Sequence, residues 1–243
     1  QSKFKLTQII HYRVLKVADL GESAVDDRIG HLIAESSNPT VGVLAHPGQV
    51  DVRIAARENN IEEANMLIDS IDKQIRSILQ DNVFAVDDET LESVVGDLMK
   101  ESNATIATYE DLSGGSVASA IKQAAGCYLL QSHIINSTKA LKKILLDGGQ
   151  IPDIEDDAER AIALARAIKT TSGSTHSVVV HGVEEGKQRS ENLGQGDTHI
   201  VISGPDGERT RHVNYAGRGK PDRQRAAMEA LSLLRRDLIN TPH

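Results

Sequence analysis

The sequence predicts an α/β protein in two parts: a small α+β unit over residues 1–84, then a three-layer α/β/α domain over 85–243. Three observations predict it. Apolar residues recur at helical spacing in two long stretches, from Ile61 to Ile78 and from Leu91 to Met99. Between them the apolar Val83-Phe84-Ala85-Val86 gives way to the acidic Asp87-Asp88-Glu89, a natural boundary. Beyond residue 105, β-friendly runs alternate with helical ones, and Ser177-Val178-Val179-Val180 is apolar on both faces, as a central strand must be.

In the first part, His11 to Val17 alternates polar and apolar, the period of a half-buried strand. Gly21-Glu22-Ser23 opens a helix with Val25, Ile29, Leu32 and Ile33 on one face, and Asn38-Pro39 stops it because the proline ring disfavours helical backbone before it. Val41–Ala45 and Val50–Ala56 read as a hairpin turning at His46-Pro47-Gly48. The stripe Ile61, Ala64, Leu67, Ile68, Ile71, Ile75 and Ile78 is the clearest helix of this half.

In the second part, Asp87 or Asp88 is expected to cap a helix carrying Leu91, Val94, Val95, Leu98 and Met99. Thr105-Ile106-Ala107-Thr108-Tyr109 then reads as a strand, and Glu110-Asp111-Leu112-Ser113-Gly114-Gly115 as a loop opening a helix that runs to about Ala124. Such a loop points backbone N–H groups, and the positive end of the helix dipole, at whatever lies in front of it. Cys127 to Ile135 is apolar enough for a buried strand. His133 within it has no second ligand at strand or helical spacing and reads as a core or strand-end residue. A helix over 138–146 carries Lys139, Lys142 and Lys143. The acidic Glu155-Asp156-Asp157 starts an Ala-rich helix that ends near Lys169, a charge order that matches the dipole and needs no metal. A polar loop follows Val180, then a hairpin over 198–215 turning at Gly204-Pro205-Asp206-Gly207, and a last helix over 222–240.

With 39% hydrophobic residues, 2% aromatics and no Trp, the cores must be built from Ile, Val, Leu and Ala. A net charge of −8 disfavours a nucleic-acid backbone as partner, and sparse aromatics disfavour base stacking. The single cysteine, Cys127, excludes an internal disulfide framework and fits a reducing compartment, so a cytoplasmic location is expected. No run approaches the roughly 20 apolar residues of a membrane span, so no membrane partner is expected. The residues call for no cofactor.

The stretch from Glu110 to Gly115 resembles the Ala-Glu-Ser-Cys-Thr-Gly-Gly signature of the CinA (competence/damage-inducible protein A) family, in the domain that deamidates nicotinamide mononucleotide. Position by position, Glu110 falls on the family's Glu, Ser113 on its Thr, and Gly114 and Gly115 on its Gly pair. Asp111 falls on the nucleophilic Ser and Leu112 on the Cys. The resemblance extends through most of 87–240. Lys142 aligns with the family's active-site Lys and Ser137 stands where it has Tyr. His181-Gly182-Val183-Glu184-Glu185-Gly186 corresponds to its Thr-Gly-Ile-Ala-Gly-Pro loop. Of two C-terminal Arg positions, Gly219 replaces the first and Arg223 keeps the second. The first half resembles the family's KH-like middle domain through Gly21-Glu22-Ser23, Ser37-Asn38-Pro39-Thr40, Val52-Arg53-Ile54 and Glu62-Glu63-Ala64. It lacks the G-x-x-G loop that clamps a nucleic-acid backbone, so a spacer or dimer-contact module is expected.

The resemblance implies a Ser/Lys amidase frame without its nucleophile. Acyl transfer needs a hydroxyl and a nearby base; attack by the Asp111 carboxylate on an amide would have to form an anhydride. An ion pair between Asp111 and Lys142 is the expected outcome. The sequence therefore reads as a divergent member whose catalytic positions Asp111, Lys142 and Ser137 no longer hydrolyse amides. Glu110, Ser113, Gly114, Gly115 and Arg223 form a frame for a small anionic or nucleotide ligand. Glu184 and Glu185 would oppose a phosphate there unless they face solvent. A homodimer or larger assembly is expected. The alternative is an active amidohydrolase acting on nicotinamide mononucleotide or a related pyridine nucleotide, with Asp111, Lys142 or Ser113 in altered roles.

Overall fold

The structure, a computed structural model, describes residues 8–135, 143, 154–184, 196–214 and 220–240. The chain forms two compact units, 1–90 and 91–243. The division falls after Thr90 rather than at the expected 84/85, because Val83–Val86 is a strand of the first sheet.

The first unit runs β1 (Ile9–Val17), α1 (Glu22–Glu35), β2 (Thr40–His46), β3 (Gln49–Glu58), α2 (Ile61–Leu79) and β4 (Val83–Val86). Its sheet has the order β2-β3-β1-β4 and every pairing is antiparallel. Leu15, Val17, Val52, Ile54 and Ala56 alternate onto one face and bury against Val25 and Ile29 of α1 and Ala64, Ile68 and Ile75 of α2. On that same face Arg13 reaches Asp69 and Asp72 of α2, each at 2.7 Å. Asn60 caps α2 by accepting the Glu63 N–H.

The second unit runs α3 (Leu91–Glu101), β5 (Ile106–Glu110), α4 (Ser116–Ala125), β6 (Leu129–Ile134), α5 (Asp157–Ser172), β7 (His176–Glu184), β8 (Gly196–Gly204), β9 (Gly207–Val213) and α6 (Lys220–Asn240). The sheet order is β6-β5-β7-β8-β9, parallel across β6, β5 and β7 and antiparallel beyond. Helix α5 covers one face, burying Ala161, Leu164, Ala165 and Ile168 on Tyr109, Val179 and Val201. Helices α3, α4 and α6 make the third layer. Val178, Val179 and Val180 are fully buried in the middle strand, as their sequence required.

Two elements differ from the sequence expectation. Helix α3 begins at Leu91, because Asp87 and Glu89 serve the first unit: Asp87 accepts the Val14 N–H at 2.8 Å and Glu89 accepts that of Val86 at 2.8 Å. Strand β6 is an edge strand, not a buried one, with Leu130 49% and Ile134 53% exposed. The helix expected over 138–146 lies almost wholly outside the described residues, which include only helical Lys143.

Candidate functional site

The Glu110–Gly115 frame sits where β5 ends and α4 begins. Alternation along β5 sends Glu110 to the α4 side and Tyr109 to the α5 side. Glu110 has no exposed surface. Its carboxylate accepts the Ser113 hydroxyl at 2.6 Å, the Val117 N–H at 3.0 Å and the Ala118 N–H at 2.8 Å. Two of the four N–H groups that a helix leaves open at its start are thus filled from within the chain. The sequence places these donors, together with Glu110 and Ser113, in front of a ligand. Instead Glu110 is the internal anion of α4, and Ser113, also buried, is its hydroxyl partner rather than a free nucleophile.

Gly114 and Gly115 sit in the left-handed region at φ +65° and +89°, where a side chain is strained. A Cβ on Gly115 would also fall 2.6 Å from Ile134 Cδ1. Among the described residues, the N–H groups of this Gly pair take no acceptor. Exposed Arg223, in the first turn of α6, brings Nη1 within 3.9 Å of where a Gly114 side chain would begin. The structure therefore brings Gly114, Gly115 and Arg223 together. Lys142, Ser137 and Glu185 lie outside the described residues, as does the expected Asp111–Lys142 pair.

Asp111 is the first residue past β5, and its N–H bonds the Val180 carbonyl at 3.2 Å. Its Oδ1 accepts the Gly182 N–H at 2.8 Å. Its Oδ2 accepts the Tyr109 hydroxyl at 3.1 Å and lies 2.6 Å from His181 Nδ1. An ionised carboxylate only accepts, so the Nδ1 of His181 donates to Asp111. Burial raises the Tyr109 phenol well above its ordinary range, and the Asp111 charge adds to the effect. The phenol stays protonated as a donor. Gly182 has no room for a side chain: a Cβ there would meet Leu112 Cβ at 2.8 Å.

The far side of His181 faces the start of α5. Asp156 caps that helix by accepting the Glu159 N–H at 2.8 Å, the role its position predicts. Asp157 has another neighbour: its Oδ1 stands 3.7 Å from His181 Nε2 and also contacts Arg160. Tyr109, His181 and Asp157 are therefore parts of the site that periodicity alone does not reveal. They meet through strand register and helix docking. The one available signal was His181 itself, which stands where the resembled loop has Thr.

The comparisons agree with this architecture. Residues 12–85 match the damage-inducible protein CinA KH domain, and residues 88–238 match the CinA C-terminal domain. A CinA-like protein of Acaryochloris marina is 33% identical over 246 residues, covering 98% of this chain and 58% of its own length. A CinA-like protein of Frankia casuarinae is 31% identical, covering 97% and 56%. A putative competence-damage inducible protein of Moorella thermoacetica is also 31% identical, covering 95% and 56%. The chain thus spans a little over half the length of these relatives. Among solved structures, the competence damage-inducible protein A of Klebsiella pneumoniae subsp. pneumoniae superposes with a TM-score of 0.53 at 16% identity, covering 63% of this chain and 97% of that one. A CinA superfamily protein of Enterobacter cloacae gives 0.50 at 16% identity, covering 63% and 95%. With the second unit matched almost end to end and the first by its own domain, the chain belongs to the CinA family.

Proposed function

We propose that the second unit is a CinA C-terminal domain that has given up amide hydrolysis and serves as a ligand-binding or oligomer-forming module. One observation carries this reading. Two positions that depart from the resembled pattern, Asp111 for Ser and His181 for Thr, touch each other at 2.6 Å. With Tyr109 and Gly182 they close a network on the spot where the nucleophile would stand. The oxygens of this carboxylate are engaged by three donors, which leaves it poorly placed to act as a base or nucleophile. The Ser113 hydroxyl is committed to Glu110. The Gly114–Gly115 turn with Arg223 nearby supports retention of a small anion or a nucleotide monophosphate.

The test is ammonia release from nicotinamide mononucleotide by the purified chain, with calorimetry of the same nucleotide alongside. Expected are no turnover above the uncatalysed background and weak, salt-sensitive binding. Turnover at an ordinary enzymatic rate, on the order of 1 s⁻¹ or more, would overturn the proposal. Light scattering at micromolar concentration tests the assembly role, for which a dimer or larger is expected.

A further inference from the structure

The edge strands of the two sheets are β2, β4, β6 and β9. An edge strand offers unpaired N–H and C=O groups, and native chains blunt it with brevity, charge or cover. Strand β4 has only four residues, three of them buried. Strand β9 carries Glu208, Arg209 and Arg211. Strand β2 shares a groove with Glu22, Asp26 and Asp27 of α1, so two copies meeting there would bring carboxylates together. Strand β6 has no lysine, arginine, carboxylate or proline. We propose that β6 pairs antiparallel with β6 of a second copy of this chain, about a two-fold axis through Ser132. This rests on the oligomer-forming part of the proposed function and names the surface that makes the assembly.

The backbone is set for this pairing. The Ile135 N–H bonds the Glu110 carbonyl at 3.1 Å, on the β5 side. Backbone groups alternate in direction along a strand, so those of His133 also face β5, and those of Ser132 and Ile134 face outward. Across an antiparallel two-fold at Ser132, each Ser132 exchanges both N–H···O bonds with its own copy. The next pair sets Leu130 against the partner's Ile134, and the symmetry repeats it. Such a contact uses one patch on both copies and closes at the dimer.

Side chains and charge point the same way. Ile134 lies on the α4 face, against Gly115, and Ser132 shares that face by alternation. Ile134 is half-exposed, and so is Leu130, the extra residue where β6 shifts register against β5. The pairing sets these two apolar side chains beside each other twice, with Cβ atoms about 4.5–5.5 Å apart. A net charge of −8 opposes association of copies in general. At this edge the opposition is small: α4, on the same face, carries one charge, Lys122. Burial holds His133 below the usual imidazole range, so it is neutral at pH 7 and adds no repulsion.

The experiment measures the mass of the full chain by sedimentation and tests the axis with charge. The parent is expected to be a dimer. Ser132→Lys and Ser132→Glu, at an exposed position, each place like charges directly across the axis. Each alone should run as a monomer at a concentration where the parent is dimeric, and mixed in equal amounts they should form a dimer with one copy of each. A crosslink gives a second reading. In a Cys127→Ser background, Ser132→Cys with oxidised glutathione should give a covalent dimer, because a hydrogen-bonded pair holds its Cα atoms about 5.5 Å apart, within disulfide reach. Thr210→Cys, exposed on β9, should give none. Circular dichroism checks that each variant is folded; if a charged variant is not, the crosslink decides. A monomeric parent overturns this inference together with the oligomer-forming reading. A dimeric parent whose two charged variants each stay dimeric overturns this inference alone, as does failure of Ser132→Cys to crosslink, or equal crosslinking through Thr210→Cys.

Discussion

Replacing Glu110 tests how the frame is held. Its carboxylate makes three bonds with no solvent to replace them, two of them to the first open N–H groups of α4. A hydrogen bond to a charged group contributes about 1.5–3 kcal/mol, and a buried donor left unsatisfied costs about 1–3 kcal/mol. Glu110→Ala forfeits all three bonds and should destabilise the second unit by about 4–5 kcal/mol, the lower end of that range. Glu110→Gln keeps one carbonyl oxygen and the shape but turns an NH₂ toward one set of donors. Its cost should be about 2 kcal/mol. Because the chain has two units, one global transition is not assured, so the sharper assay is native-state hydrogen exchange. At about 2 kcal/mol, the Val117 and Ala118 amides in Glu110→Gln should exchange roughly 30-fold faster, with α2 in the first unit unchanged. If both variants leave those amides protected as in the parent, the internal-anion account of Glu110 is wrong.

Other outcomes follow from the same geometry. A double-mutant cycle on Asp111→Asn and His181→Gln, read by urea unfolding, should show a coupling of about 1–3 kcal/mol; additivity would mean that the 2.6 Å contact carries no energy. Gly96→Ala in α3 should destabilise despite a helix-propensity gain of about 1 kcal/mol. The new Cβ would stand 2.7 Å from Ala124 Cβ and 3.1 Å from its backbone carbon, so α3 and α4 must part; a raised Tm would refute this. Buried His176 is held below the usual imidazole range by desolvation, with Lys169 adding to the lowering and Asp237 opposing it. The unfolded chain therefore binds the proton first, and stability is lost as pH falls below about 6.5. His176→Gln should flatten that loss, measured as urea midpoints at pH 8 and pH 5.5; an unchanged slope would exclude His176 as its source.

Most of the fold was legible because it is periodic. The stripes at Ile61–Leu79 and Leu91–Glu101, the buried valines and the Gly204–Gly207 turn each declare one element on their own. Asp87 was misleading because an acidic residue before a helix is a good cap, and nothing local shows that Val14, 73 residues earlier, offers it a better donor. The edge position of β6 was hidden for a similar reason. Composition gives a strand's hydrophobicity, but topology decides whether it has one neighbour or two. The meeting of Asp111 with His181 was illegible outright, since the two residues come together only once β5 and β7 are paired in register.

The two halves of the site diverge for one physical reason, the alternation of side chains across β5. Glu110 points to α4 and is fastened to that helix, so the signature's glutamate and glycines persist as a structural joint whatever the chemistry. Asp111 points to the α5 side, away from the α4 amides that hold Glu110. A carboxylate there needs donors of its own, and Tyr109, Gly182 and His181 supply them. A Thr at position 181, one strand away, could not with its short side chain offer the ring N–H that sits 2.6 Å from Asp111. Asp111 and His181 are therefore a matched pair. On the proposed reading, Asp111→Ser leaves His181 without its anchor and should by itself give no ammonia release from nicotinamide mononucleotide; release at an ordinary enzymatic rate would refute this.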